Sequence, residues 1–284
     1  VSIVHPRTAA VPAAPHPLAR LLARRRPIVM GILNLTPDSF ADGGRFLDPA
    51  KAMAHAARMI AEGADIIDVG AESTRPYPGM RPVSAEEELA RLMPVLPQVI
   101  ALGVPVSIDT IKAAVAARAL AAGAAIVNDV WGLQRDPDMA GVIAAHGAPV
   151  VVTHNRETVD PALDILADIE AFFSRSLDIA AGAGIARDRI VLDPGIGFGK
   201  TPEQSLAAIA GLVRLRAFGL PLLIGLSRKR FINAVVPSKP QDRLAGSLAG
   251  AVLAVLDGAA IVRVHDVAET VQALRVAAAI QAAR

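Results

Sequence analysis

Acids, amides and cations recur in this chain at one kind of place, directly after short aliphatic runs. Asn34 follows VMGIL, Asp68 lies in DIIDVG, Asp109 closes SID, and Asn128 and Asp129 close IVND. Further on, His154 and Asn155 follow VVVT, Asp193 closes IVLD, Ser227, Arg228 and Lys229 follow LLIGL, and Arg263 and His265 end IVRVH. A carboxylate accepts two parallel hydrogen bonds from a planar ring N–H and an adjacent amino group. Lys229, Arg263 and His265 suit a phosphate or pyrophosphate. The residue types together describe an anionic, nitrogen-rich small molecule with two unlike ends.

The elements that must carry these residues alternate regularly. Aliphatic, β-branched runs at 28–33, 65–69, 104–108, 125–128, 149–153, 190–192, 222–226 and 261–264 predict strands. Between and after them, Ala-rich amphipathic stretches at 49–62, 85–102, 111–121, 137–146, 163–181, 202–218, 241–257 and 267–283 predict helices. Ser84 ahead of Glu86, Glu87 and Glu88 reads as a capped, acidic first turn, and Gly63, Gly103, Gly123 and Gly147 read as helix terminators. Strand–helix pairs repeated in this way predict an α/β fold, a single (β/α)8 TIM barrel over residues 27–284, with a short N-terminal extension over 1–26. In such a barrel the strand ends meet at one mouth, so Asp193, Asn128, Lys229 and Arg263 must converge there.

Composition narrows the class further. The chain has 284 residues, 53 % hydrophobic, 20 % charged and only 3 % aromatic, with a net charge of +2 and no cysteine. Absent cysteine excludes disulfides, thiolate metal sites and a thiol nucleophile. Few aromatics argue against a base-stacking nucleic-acid binder. The longest apolar stretch, 244–256, is shorter than the roughly 18–20 residues a membrane span needs. These features predict a cytoplasmic protein with neither nucleic-acid nor membrane partners. The first 26 residues are Arg-rich and acid-free, as a transit peptide is, but Pro6, Pro12, Pro15 and Pro17 suit a loosely ordered extension better.

Seven blocks go beyond residue chemistry. MGILNLTPDSFADGG, GADIIDVGAESTRP, SIDT, VNDVWG, VLDPGIGFGKT, GLSRKRF and DRLAGSLAGAVLAVLDGAAIVRVHDV resemble, in order and spacing, the signature blocks of the dihydropteroate synthase family, a group of pterin-binding TIM barrels. The resemblance implies a transferase of folate biosynthesis that joins 6-hydroxymethyl-7,8-dihydropterin pyrophosphate to p-aminobenzoate and releases pyrophosphate, with Mg2+ present. It implies that Asp193, Asn128 and Lys229 hold the pterin edge, with Asp109 near the ring nitrogens. Arg263, His265 and Asn34 would bind the pyrophosphate, with Asn34 near the metal. Thr74, Pro76, Phe198, Ser227 and the stem of Lys229 would form the p-aminobenzoate side, Arg75 would also bind substrate, and Asp109, Lys229, Arg263 and His265 would carry the chemistry. The loops 36–44 and 73–79 would close over the substrates, sulfonamides would compete with p-aminobenzoate, and the assembly would be a homodimer.

Some residues carry other readings. PGIGFGKT resembles a P-loop, but Pro194 stands where that motif needs its first Gly, so Lys200 is expected to support its own loop. His154, in VVTHNRE, reads as a structural histidine as readily as a ligand contact, and Asp68 reads equally as a strand-end cap. His55 and His146 are expected at the surface. Arg230 departs from the family pattern without an assignable role, and Tyr77, where the family has a Gly directly after STRP, is expected to alter the second loop. Two rival functions share the barrel: a methyltetrahydrofolate-dependent corrinoid methyltransferase, which needs no pyrophosphate site, and a catalytically silent pterin-binding paralogue.

Overall fold

The computed structural model of the chain describes residues 16–36, 48–72 and 83–284. Its strands are β1 (Ile28–Asn34), β2 (Ile66–Gly70), β3 (Val106–Asp109), β4 (Ile126–Asp129), β5 (Val150–Thr153), β6 (Ile190–Asp193), β7 (Leu222–Ile224) and β8 (Ala259–Val264). All neighbours pair in parallel, and β8 returns to β1 to close the barrel. The helices are α1 (Pro17–Leu22), α2 (Pro49–Ala61), α3 (Ala85–Leu92), α4 (Leu96–Ile100), α5 (Ala113–Ala121), α6 (Met139–His146), α7 (Ile165–Gly182), α8 (Pro202–Ala210), α9 (Leu212–Leu215), α10 (Arg230–Val235), α11 (Leu244–Leu256) and α12 (Val267–Ala282).

Alternating strand residues feed two separate cores. Outward residues such as Leu33, Val69, Val127 and Val152 pack against the helices, while Met30, Ile66, Ile126, Val151, Val191, Leu223 and Ile261 fill the barrel's lower interior. The helix terminators act as expected: Gly63, Gly103, Gly123 and Gly147 all have positive φ. Ser84 Oγ accepts from Glu87 N–H at 3.2 Å, and Thr201 and Gln204 form a reciprocal capping box at the start of α8.

Five details differ from the sequence expectation. The stretch expected as one helix over 85–102 is broken into α3 and α4, because Pro97 has no N–H to continue the ladder and Pro94 precedes it. That over 202–218 is split at Gly211 into α8 and α9. Helix α10 was not expected, being only six residues within a long connection. The extension is not loose from residue 16 onward. Pro17 opens α1, where its missing N–H costs nothing, and Leu18 and Leu21 bury themselves against the lower barrel core. Arg26 then clasps Asp65 with bonds of 2.9 and 2.5 Å. His146 is exposed as expected, but His55 is half-buried, and burial lowers its pKa. Residues 1–15 lie outside the described residues.

Candidate active site

Strand parity decides which polar residues reach the mouth. Two residues beyond the lower interior layer, the side chain points inward again. Counting on from Ile66, Ile126, Val151, Val191, Leu223 and Ile261 gives Asp68, Asn128, Thr153, Asp193, Gly225 and Arg263. The register then adds Asp109, opposite Asn128 and Gly70, and Asn34, also opposite Gly70. One inward layer therefore holds nearly every strand residue expected to bind.

These side chains form one bonded cluster. Arg263 Nε donates to Asp68 Oδ2 at 2.6 Å and its Nη2 donates to Asp109 Oδ2 at 2.7 Å. Asn128 Nδ2 donates to the same Asp68 oxygen at 3.0 Å. What remains is a set of bare acceptors: Asp68 Oδ1, Asp109 Oδ1 and Asn128 Oδ1 are buried with no hydrogen-bond partner. A buried oxygen left unpaired costs about 1–3 kcal/mol, so the cluster is built to receive N–H donors from a ligand. Burial, opposed by Arg263 and reinforced by Asp68, pushes the Asp109 carboxyl up to about 7.

Asp193 and Lys229 continue the site on the side of β6 and β7. Asp193 Oδ1 accepts from Gly195 N–H at 2.8 Å. Burial raises its pKa, against the pull of Lys229 and this bond. Lys229 Nζ donates to the Ile196 carbonyl and stands 4.9 Å above the Phe198 ring. Gly225 lies between the two cations, 3.6 Å from Lys229 Nζ and 3.8 Å from Arg263 Cβ as measured from where its Cβ would stand, an ordinary contact distance. Ser227 Oγ accepts from His265 N–H at 3.2 Å and is 3.0 Å from His265 Nδ1. Between Ser227 and Lys229, Arg228 has a φ of 58°, a left-handed backbone for a non-glycine residue. Three partners hold it there: Asp266 takes its guanidinium, Ser247 Oγ accepts its N–H at 2.9 Å, and Arg243 donates to its carbonyl at 3.0 Å.

Asp193, Asn128, Lys229 and Arg263 thus share one mouth. The expected separation of an acidic clasp from an opposing cationic cradle is corrected, because Arg263 sits among the acids. Closure of the barrel brings β8 beside β1 and within reach of β2 and β3. Asp68 belongs to the site rather than to a strand cap. Asp129 has the opposite parity and caps its own turn, accepting from Trp131 N–H at 2.9 Å and Leu133 N–H at 2.6 Å. His154 also faces away from the mouth and is fully buried against Asp168 and Lys200, as a structural histidine. Lys200 supports its loop, donating to the Gly195 carbonyl at 2.8 Å and the Phe198 carbonyl at 3.1 Å. The sequence reading missed Asp168, in the first turn of α7, and Asp266, just after β8. Thr74, Arg75, Pro76 and Tyr77, with most of the loop 36–44, lie outside the described residues.

A closed parallel barrel with bare acceptors, a guanidinium and an ammonium at its mouth is the architecture of a small-molecule enzyme. A model of the pterin binding enzyme family matches residues 30–265, and the chain belongs to that family. Its relatives include the dihydropteroate synthase of Bacillus subtilis (strain 168), 47 % identical over 245 residues, covering 86 % of this chain and 85 % of that one. A crystal structure of dihydropteroate synthase from Clostridium difficile with pteroic acid is 47 % identical, with a TM-score of 0.86 over 90 % of this chain and 97 % of that one. The enzyme of Xanthomonas albilineans with 4-aminobenzoic acid gives 44 % identity and a TM-score of 0.86, covering 90 % and 94 %.

Proposed function

We propose that the chain is a dihydropteroate synthase, condensing 6-hydroxymethyl-7,8-dihydropterin pyrophosphate with p-aminobenzoate to give 7,8-dihydropteroate and pyrophosphate. The observation that carries this reading is the bare acceptor set, Asp68 Oδ1, Asp109 Oδ1 and Asn128 Oδ1, beside Asp193. It matches the N–H-rich edge of a pterin, and the corrinoid methyltransferase alternative shares that edge. Arg263 favours the pyrophosphate substrate, because its bonds to Asp68 and Asp109 use two of its N–H groups and leave the rest for an anion.

The chemistry follows from charge. As the C–O bond to pyrophosphate breaks, positive charge grows on the pterin methylene and spreads into the ring. The Asp109 carboxylate stabilises that cation more than the neutral ground state, which lowers the barrier. Arg263 and His265 stabilise the departing anion. The amine of p-aminobenzoate attacks as a free base and loses its proton after the C–N bond forms, so no strong general base is required. Phe198 and the stem of Lys229 supply its aromatic wall, and Ser227 a polar contact.

Among the described residues no three His, Asp or Glu side chains form a metal cage. Asn34, half-buried at the rim, offers a hard amide oxygen. One protein oxygen plus substrate phosphate oxygens and water is a donor set that suits Mg2+. Asn34 would hold the ion, which would offset charge on the pyrophosphate. The exposed Leu253, Leu256, Val276 and Ile280 on α11 and α12 support a homodimer. Among the described residues no helix is long and apolar enough to cross a membrane.

Purified protein incubated with both substrates and Mg2+ should yield dihydropteroate by mass spectrometry; no product would overturn the assignment. Sulfonamides should compete with p-aminobenzoate in the same assay, and uncompetitive inhibition would speak against the pocket. The active form needs Asp109 ionised, and its carboxyl sits at about 7. The rate kcat/KM should therefore rise as pH increases through about 7 and then level off. Asp109→Asn should lower the plateau and remove that limb, and an unaltered limb would assign the titration to another group.

A further inference from the structure

Behind the mouth, on the helix-facing side of β5, lies a second charged cluster that the mechanism above does not use. Lys200 is buried there, 7 % exposed, at the end of the loop joining β6 to α8. An ammonium has three N–H groups, and the three nearest of four acceptors around this one are His154 Nδ1 at 2.7 Å, the Gly195 carbonyl at 2.8 Å and the Phe198 carbonyl at 3.1 Å, with the His154 carbonyl farther off at 3.5 Å. His154 Nε2 lies 2.9 Å from Asp168 Oδ2, which also accepts from Arg156 Nη1 at 2.8 Å.

The proton positions follow from these partners. Burial pushes the Asp168 carboxyl up, but hydrogen bonds from Arg156 and His154 outweigh it and hold the group below the usual carboxylate range. An ionised Asp168 only accepts, so His154 carries its hydrogen on Nε2 and presents a lone pair on Nδ1. Burial, reinforced by Lys200, pulls the His154 pKa to about 3, consistent with a neutral ring. Burial lowers the Lys200 pKa to about 7; in its protonated form it donates to Nδ1, and its other two hydrogens fall on the loop carbonyls. Asp168 fixes the tautomer, the tautomer fixes the ammonium, and the ammonium fixes the loop.

Other groups hold single points of that loop, Asp193 Oδ1 at Gly195 N–H and Lys229 Nζ at the Ile196 carbonyl, whereas Lys200 takes a carbonyl at each end of its turn. Gly195 has a φ of 64°, and a Cβ on it would lie 1.9 Å from the His154 carbonyl oxygen, so the chain must press closely onto the end of β5. Phe198 N–H donates to the Gly195 carbonyl at 3.0 Å, so the two carbonyls that Lys200 grips are the two ends of one turn. Asp193, by contrast, is held by the β-ladder itself, through its pairing with Thr153. The ladder fixes the backbone of Asp193, so a disturbance of Lys200 is expected to reach Phe198 first, although Asp193 Oδ1 shares the turn through Gly195 N–H.

We infer that Lys200, oriented through His154 by Asp168, is a positioning residue that sets the Phe198 wall and so the affinity for the aromatic amine substrate, touching neither reactant. This rests on the dihydropteroate synthase reading. The test begins with product formation by the wild-type protein; its absence would overturn that reading rather than this one.

Given wild-type turnover, Lys200→Met should raise KM for p-aminobenzoate about tenfold, and leave KM for the pterin pyrophosphate and kcat within about threefold. Asp168→Leu, which frees the His154 tautomer, should raise the same KM by about threefold or more. Asp168→Asn should restore it to within about twofold, because its amide oxygen still accepts the His154 N–H. Equal rises in both KM values for Lys200→Met, or an Asp168→Asn enzyme indistinguishable from Asp168→Leu, would overturn the inference. Should Lys200→Met fail to fold, the Asp168 pair decides alone. A KM rise in the leucine variant that the asparagine variant lacks supports the relay, and matched values remove it.

Discussion

Arg263→Met should lower kcat/KM by on the order of a thousandfold while leaving the barrel folded. The guanidinium now lies between two buried carboxylates, at 2.6 Å from Asp68 and 2.7 Å from Asp109. Removing one partner from a buried ionic cluster costs on the order of 3–5 kcal/mol, which is two to four powers of ten if carried into the rate. The protein has a way to relieve part of this cost. The Asp109 carboxyl already sits at about 7, so it can take up a proton in place of the lost charge. That proton removes the anion needed opposite the developing cation. The alkaline-rising limb of kcat/KM should therefore shift to higher pH in the variant, together with the fall in rate. A variant with its limb unmoved, or with less than about a tenfold loss, would contradict the triad. Binding should also respond unevenly: the pyrophosphorylated pterin loses more affinity than the unphosphorylated one, although both lose some because the acids are disturbed. Equal losses would take Arg263 out of the leaving-group site.

Asp193→Ala should weaken pterin binding by about 3 kcal/mol, roughly a hundredfold, when titrated by calorimetry. The carboxylate accepts from Gly195 N–H at 2.8 Å with one oxygen, and its charge is set against Lys229. Alanine would strand a ligand N–H pair in a dry pocket and leave the Gly195 N–H without its acceptor. Affinity within a factor of two of wild type would show that the pterin edge is held elsewhere in the cluster.

Much of this site is visible in the sequence because strand ends are visible. Asp109, Asn128, Asp193 and Arg263 each follow an aliphatic run, and a barrel brings such ends together whatever the helices do. Parity is the part a single sequence hides. Asn128 and Asp129 are neighbours, yet one reaches the mouth and the other caps a turn, and only the register against Asp109 and Val151 separates them. Likewise His154 directly follows β5 and Asp193 closes β6, but His154 points at α7. Partners far apart in sequence were equally hidden: Arg263 meets Asp68 across 195 residues, a contact that only barrel closure creates. The N-terminal segment misled for a different reason, since its prolines mask the Leu18 and Leu21 spacing that anchors α1.

The left-handed backbone of Arg228 also bears on how substitutions combine. Asp266 grips its side chain from beyond the end of β8, so the tip that carries Ser227 and Lys229 is tied to the tip that carries His265. Residues joined in this manner share their losses instead of summing them. Double substitution of Lys229 and His265 should thus fall short of the product of the single effects, whereas pairing Lys229 with the remote Asn34 should approach it.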